Sequence, residues 1–327
     1  MLKRLTNSPR FISLFFGLGL AAYALFFLLL VPYSAHAENG IIGGHPAPDN
    51  AWRSVVALRT STTDEAFCGG NLIHPRWVIT AAHCLKQEIE GIEQRYSAAD
   101  IIVFAGSHDL RDRQRSERIR VKRVIIHSSF RSNAGDHDIA LLELTHNAKA
   151  PVMRLFNADP LPQTSVTTVG WGSLKRNSNE GKYPSRLYQV SIPVVSRDKC
   201  QQASLYKNRI SRNMLCAGLA QGGKDSCTGD SGGPLMLRQI SDGKYYQVGI
   251  TSHGHGCGRA NQYGVYTLIP AYVGWIKRFV PVQLNTNANQ NREIVYQRMA
   301  GSLSIVSELL MLLLLGFARR NTRRKMD

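Results

Sequence analysis

Acidic residues are the scarce component of this sequence. The chain of 327 residues contains 23 Asp and Glu against 40 Lys and Arg, which leaves a net charge of +17. An excess of this size attracts acidic surfaces, nucleic acid or anionic lipid. The densest basic stretch, residues 111–123, contains no aromatic side chain on which a base would stack, and this disfavours a nucleic-acid partner. We therefore interpret that stretch as a solvated basic loop that partly forms a strand.

Cysteine is also sparse, and no internal repeat is visible, which disfavours solenoid and propeller folds. The six cysteines form an even set in a chain that starts like a secreted protein. An oxidising compartment then favours disulfides, and the alternative is a cytosolic protein with buried free thiols. The sequence alone does not choose among the possible pairings.

Residues 1–37 have the parts of a secretory signal peptide. A basic head precedes an apolar run that extends to Val31, and small residues at Ala35 and Ala37 fit a cleavage site. The apolar run is long for a signal peptide, so an uncleaved membrane anchor is the alternative. Cleavage after Ala37 predicts a short propeptide, residues 38–40.

The central region, residues 41–282, consists of short apolar, β-branched segments separated by turn residues, which is typical of an all-β domain. Nine segments are predicted to be strands: Ser54–Leu58, Trp77–Thr80, Ile101–Phe104, Val121–Ile126, Ile139–Leu144, Val166–Val169, Val190–Val194, Gln247–Thr251 and Tyr263–Leu268.

The clearest indication of catalytic chemistry is Ser231, which lies among glycines and follows Asp230 directly. A serine hydroxyl attacks well only when a base takes its proton and fixed donors hold the oxyanion. His83 and Asp138 supply a base and an acid, and the chain order His, Asp, Ser is one known order of a catalytic triad. Asp136 is the competing acid. The apolar run that follows Asp138 directly favours Asp138.

At this point the sequence resembles the trypsin/chymotrypsin family of serine proteases. The resemblance covers residues 41–282 and implies two six-stranded antiparallel β-barrels with the active site between them, closed by a helix at residues 273–279. The matching segments are Ile41-Ile42-Gly43-Gly44, Trp77 to Cys84, Asp138 to Leu141, Gly170-Trp171-Gly172, Gly229 to Pro234 and Gly264 to Thr267.

The resemblance implies a role for each residue of the site. His83, Asp138 and Ser231 are the expected catalytic triad, and the backbone N–H groups of Gly229 and Ser231 are the expected oxyanion hole. The chemistry requires no cofactor and no metal. Where relatives bind calcium through two glutamates, the aligned positions here are Ser107 and Glu117, so one carboxylate is missing.

The resemblance also implies cleavage after Arg or Lys in protein or peptide substrates. Asp225 is expected at the base of the specificity pocket. The other expected pocket residues are Ser226, Ser252, Gly254 and Gly264.

Beside this pocket, relatives carry a tryptophan where this chain has His253. The preference for neighbouring substrate residues is therefore open. His253, His255 and Cys257 together also suggest a metal site, which the resemblance disfavours because it assigns Cys257 to a disulfide.

Activation and disulfides follow from the same resemblance. A freed N-terminus at Ile41 is expected to pair with Asp230. The residue before Ile41 is Gly40 instead of the usual Arg or Lys, so a different activating peptidase is expected. The implied disulfides are Cys68–Cys84, Cys200–Cys216 and Cys227–Cys257.

The C-terminal part falls into a predicted polar linker, residues 283–300, and a short hydrophobic segment with a basic tail, residues 301–327. With Ala300-Gly301 before it, this segment resembles a bacterial sorting signal of the GlyGly-CTERM type. That likeness implies contact with the inner membrane as a transmembrane helix, with the basic end in the cytoplasm, and cleavage by a rhomboid-like sorting protease. The mature protein is then secreted or held at the cell surface. An amphipathic helix is the alternative.

Two further functions stay open at this stage. A protease fold whose N-terminus at Ile41 is never freed would stay a zymogen and act as a binding module. The intact triad, oxyanion segment and pocket argue against this alternative, and the unusual Gly40 is the reason to keep it. An esterase would use the triad without Asp225. The main hypothesis is a secreted trypsin-like serine endopeptidase.

Overall fold

The computed structural model describes residues 41–89, 92–175, 183–203 and 206–285. The predicted signal peptide, propeptide and hydrophobic tail lie outside these residues, and so does the predicted linker after residue 285.

Fifteen strands follow one another along the described chain. They are β1 His45–Pro46, β2 Val55–Thr60, β3 Ala66–His74, β4 Trp77–Thr80, β5 Lys86–Ile89, β6 Ile92–Arg95, β7 Ile101–Ala105, β8 Glu117–Ile126, β9 Ala140–Leu144, β10 Ser165–Gly170, β11 Tyr188–Val195, β12 Met214–Ala217, β13 Pro234–Arg238, β14 Tyr245–His253 and β15 Gly264–Leu268.

These strands form two closed antiparallel barrels. The first has the order β2-β3-β4-β9-β8-β7, and β5 and β6 form a separate hairpin. The second has the order β11-β10-β13-β14-β15-β12 and is closed by pairing of β11 with β12, while β1 adds to its edge at β11. The predicted all-β class with two six-stranded barrels is confirmed.

Helices are few and short in the described residues. Helix α1 spans Arg197–Gln202, helix α2 spans Val273–Lys277, and 3₁₀ turns occupy Ala98–Asp100 and Ile269–Tyr272. Trp275 and Ile276 of α2 are buried against the core of the first barrel, so the predicted closing helix is confirmed. None of the helices in the described part of the chain is long and apolar enough to cross a membrane.

A separate apolar cluster joins the two barrels. Ala57 and Phe104 of the first barrel pack there with Val169 and Met236 of the second. The backbones also meet closely, since a Cβ added to Gly69 would lie 3.1 Å from backbone atoms of Gly233. The loops at this junction are therefore held in one fixed arrangement.

All nine predicted strands are present, but the sequence pattern missed others. The missed β3 contains Gly69 and Gly70, and glycine disfavours a strand interior. A Cβ at Gly70 would lie 2.7 Å from the side chain of Val78, so tertiary packing explains the glycine. The missed β13 is a five-residue strand that begins at Pro234.

Candidate active site

Strand pairing in the first barrel brings two distant residues together. His83 follows β4 and Asp138 precedes β9, and these strands pair with Thr80 opposite Ala140. The pairing places two residues that are 55 positions apart in the sequence within hydrogen-bond distance.

Asp138 is almost fully buried, with 1% of its surface exposed. Its Oδ1 accepts the backbone N–H of His83 at 2.9 Å, and its Oδ2 lies 2.7 Å from Nδ1 of the same histidine. The second barrel contributes the hydroxyl of Ser252, which donates to Oδ2 at 2.5 Å. It also contributes Thr267, whose hydroxyl donates to the Asp138 carbonyl at 2.7 Å.

The contact between His83 and Asp138 shifts the pKa of both groups. Burial opposes protonation of the imidazole, yet the charge and the hydrogen bond of Asp138 raise the pKa of His83 above its ordinary value. Burial likewise opposes ionisation of Asp138, but the charge and hydrogen bonds of His83 and the Ser252 hydroxyl lower its pKa. Because the ionised carboxylate only accepts, Nδ1 of His83 carries the proton and Nε2 is available as a base.

The competing acid, Asp136, lies in a different environment. Its Oδ1 accepts hydrogen bonds from the Ser211 hydroxyl at 3.0 Å and from the Asn213 amide at 3.3 Å. His137 stacks on His127 with ring centroids 4.8 Å apart. The structure therefore joins His83 to Asp138 and not to Asp136.

Ser231 lies in a loop that is fixed by backbone contacts to both barrels. The Ser231 carbonyl accepts the N–H of Gly69 at 2.7 Å, and Gly232 donates to Thr251 at 2.9 Å. Gly229 and Gly232 have φ values of +96° and +76°, a region that favours glycine. In the described part of the chain, the N–H groups of Gly229 and Ser231 donate to no acceptor. They are free to bind an oxyanion.

A cavity of about 240 Å³ opens beside Ser231, and Asp225, Gly254 and Gly264 line it. The Asp225 carboxyl is 3% exposed, and its Oδ2 accepts the Gly258 N–H at 3.0 Å. Its Oδ1 has no hydrogen-bond partner among the described residues. Burial raises the pKa of Asp225 to about 7.

Small residues leave this cavity open. A Cβ at Gly264 would lie 2.9 Å from Asp225 Oδ1 and 3.0 Å from the Tyr266 hydroxyl, so a side chain there would block the carboxylate. Ser226 also lies in the lining, and its hydroxyl is 3.1 Å from that of Tyr266. Ser252 lines the same cavity, but its hydroxyl is directed to Asp138, a contact that the sequence analysis did not predict.

Asp230 is fully buried behind the Ser231 loop. Its carboxylate oxygens accept N–H groups of Gly172 and Cys227, each at 2.8 Å, and burial raises its pKa to about 6. It forms no ion pair within the described residues. Ile41 is also fully buried, in the core of the second barrel.

The six cysteines form the three disulfides that the resemblance implied. Cys68–Cys84 braces the His83 loop, Cys227–Cys257 links the Ser231 loop to the far cavity wall, and the third is Cys200–Cys216. Cys68, His83 and Cys84 lie close enough together to suggest a metal site. Both sulfurs are in a disulfide, however, and offer no thiolate.

Comparisons with known proteins agree with this geometry. A family model described as trypsin matches residues 41–276. Trypsin from Sus scrofa is 35% identical over 247 residues, which are 74% of this chain and 96% of that protein.

Two longer proteins are similar to a comparable degree. Mannan-binding lectin serine protease 1 from Mus musculus is 33% identical over 77% of this chain, and transmembrane protease serine 11G from Rattus norvegicus is 32% identical over 72% of it. The chain spans only 37% and 54% of the lengths of these two relatives. The similarity to them therefore concerns one domain.

The family match covers both barrels and every residue of the site described above. The chain belongs to the trypsin family, and residues 41–276 form its serine endopeptidase domain.

Proposed function

We propose that this protein is a secreted endopeptidase that hydrolyses peptide bonds after arginine and lysine. The observation that carries the proposal is the unpartnered Oδ1 of Asp225 in the cavity beside Ser231. A buried carboxylate without a cation is costly, and a guanidinium or ammonium from the substrate would satisfy it. The gap left by Gly264 admits a long side chain as far as this oxygen.

The proposed reaction has two steps through an acyl-enzyme. The Ser231 hydroxyl attacks the scissile carbonyl, and His83 Nε2 accepts its proton and passes it to the leaving amine. Asp138 stabilises the imidazolium that forms. The free N–H groups of Gly229 and Ser231 bind the oxyanion, and one such donor lowers the activation barrier by about 3 kcal/mol. Water then hydrolyses the acyl-enzyme by the same transfers in reverse order.

The proposal includes activation by release of the N-terminus at Ile41. Asp230 is buried, has no cationic partner among the described residues and lies directly before Ser231. A new ammonium at Ile41 would neutralise it, because a buried charge persists only when paired. The residue before Ile41 is Gly40, so an activating peptidase of other specificity removes residues 38–40.

Asp225→Ser tests the specificity. We expect kcat/KM for arginine and lysine peptides to fall by roughly 10³-fold or more, because the substrate cation would then be buried without a partner. Asp159→Ser, at an exposed aspartate outside the site, is the control and should retain activity. Preference for Phe or Ala at the cleaved position in the unaltered enzyme would contradict the proposal.

Binding of a small amidinium inhibitor such as benzamidine should depend on pH. Asp225 is neutral below its pKa of about 7 and ionised above it, so affinity is gained as the pH rises. We expect the inhibition constant to fall about tenfold per pH unit up to pH 7 and then to level off. His83 does not line this cavity. An inhibition constant that is unchanged between pH 5.5 and 8 would contradict the raised pKa of Asp225.

The position of the free N-terminus should control activity. A chain that begins at Ile41 should be active, and one that retains residues 38–40 should be at least tenfold weaker. Activity of the first chain should decline at high pH, where the ammonium loses its proton and its attraction to Asp230. A chain that begins at Ile42 is the matched control, since its ammonium lies one residue out of place. Equal turnover by all three chains would refute this mechanism.

The predicted leader and tail add a proposal about location. We infer that residues 1–37 direct secretion and that residues 301–327 hold the chain transiently in a bacterial inner membrane, through a short apolar segment with a basic end. A rhomboid-like sorting protease then cuts near Ala300-Gly301.

Truncation after residue 285 should therefore leave proteolytic activity unchanged and alter only where the enzyme is found. Cell fractionation of both forms, with mass spectrometry of the mature C-terminus, tests this expectation. Residues 302–327 intact in the extracellular enzyme would exclude the sorting role.

A further inference from the structure

A second and larger cavity adjoins the one that contains Asp225. Its volume is about 760 Å³. The two cavities share Ser252, His253 and Gly254 in their linings, and His83 faces the larger one. A peptide that places one side chain against Asp225 therefore has a neighbouring side chain within reach of the second cavity.

Two arginines on separate loops line this second cavity. Arg131 begins the loop that returns to Asp136, and Arg209 follows the buried Tyr206. Both residues are exposed. Neither forms an ion pair with an acidic side chain anywhere in the described part of the chain. Their guanidinium groups are therefore available to a ligand.

The carboxylates in the same lining already have partners. Asp138 accepts three hydrogen bonds from His83 and Ser252. Oδ1 of Asp136 accepts the N–H of His137 at 2.9 Å and also binds Ser211 and Asn213. Both carboxylates therefore have fixed hydrogen-bond partners, whereas the two guanidinium groups have no ion-pair partner among the described residues.

His253 forms the wall between the two cavities. Ser252 donates its only proton to Asp138, so Nδ1 of His253, 3.1 Å away, donates to the Ser252 hydroxyl and Nε2 carries no proton. Burial lowers the pKa of His253; the charge of Asp138 opposes this shift, and the charges of His83 and His255 add to it. The imidazole is therefore neutral at pH 7, and the arginines supply the charge.

The rest of the lining is mixed, because Phe130, Ile210 and Met214 lie in it beside the polar residues. A Cβ on Gly135 would lie 2.6 Å from the His253 ring, so Gly135 packs directly against this ring. The opposite wall is formed by Tyr206 and His255, whose rings are 5.2 Å apart.

We propose that this cavity is a second substrate subsite that selects an acidic side chain near the cleaved arginine or lysine, and that Arg131 and Arg209 are its specificity-determining residues. This inference rests on the proposed cleavage after arginine and lysine. Arg suits the role because its planar group binds a carboxylate through two parallel hydrogen bonds. The positive net charge of the chain would steer the same acidic substrates to the cleft.

Peptide libraries with arginine fixed at the cleaved position test the proposal. The four positions on each side of the scissile bond are varied one at a time. We expect Asp or Glu to exceed Ala by about 3- to 10-fold in kcat/KM at one position or more. The advantage should shrink as salt is added, because screening weakens exposed charge pairs.

Charge-reversed variants identify the residues responsible. In Arg131→Glu and Arg209→Glu, the kcat/KM ratio of the acidic peptide to its alanine counterpart should fall to one or below, and a lysine at that position should become favoured. Arg120→Glu is the matched control. Arg120 is an exposed arginine on β8, has no ion pair among the described residues and lies outside the cavity lining. Its variant should keep the original ratio.

The outcomes separate this inference from the function on which it rests. Cleavage after arginine with no acidic preference at any position, or a preference that both cavity variants retain, overturns the subsite and leaves the proposed function intact. A preference that Arg120→Glu reduces as strongly as the cavity variants do would assign the effect to overall charge and also overturn it. No cleavage after arginine or lysine in any peptide refutes the proposed function itself.

Discussion

The hydrogen bonds to the buried carboxylate of Asp138 are the interaction on which the rest of this structure depends. His83 reaches it from the first barrel and the Ser252 hydroxyl from the second, while Thr267 of the second barrel donates to the backbone carbonyl of the same residue. One carboxyl group therefore fixes the relative position of the barrels and the tautomer of His83 at the same time. The apolar cluster between the barrels and the close approach of Gly69 to Gly233 also hold the two barrels together.

Three buried aspartates lie in the site, and each carboxyl group has a different set of partners. Asp138 is paired with a histidine that it helps to ionise. Asp230 accepts only neutral N–H groups and has a raised pKa of about 6. Asp225 keeps one oxygen without a partner and has a raised pKa of about 7. Neither of the last two has a cationic partner among the described residues, which supports the proposed pairing of Asp230 with a new N-terminus and of Asp225 with a substrate side chain.

In the second cavity, the charged groups without an ion-pair partner among the described residues are cationic instead of anionic. Among the described residues, Asp225 has no cationic partner, and the two arginines that line the cavity beside His253 have no acidic one. A substrate that carries a basic residue and a nearby acidic residue would complement both cavities. His253 matters here because its ring separates the two cavities and is hydrogen-bonded to Ser252.

Local composition and motif spacing were enough to predict the family, the all-β class, nine of the strands and the candidate residues His83, Asp138 and Ser231. They kept Asp136 as the competing acid beside Asp138 and missed strands such as β3. Both points need the folded protein, because a glycine in a strand and a choice between two aspartates depend on contacts with distant residues. The same is true of the Ser252 hydroxyl, the free oxygen of Asp225 and the joint position of Arg131 and Arg209, since each requires loops far apart in sequence to meet.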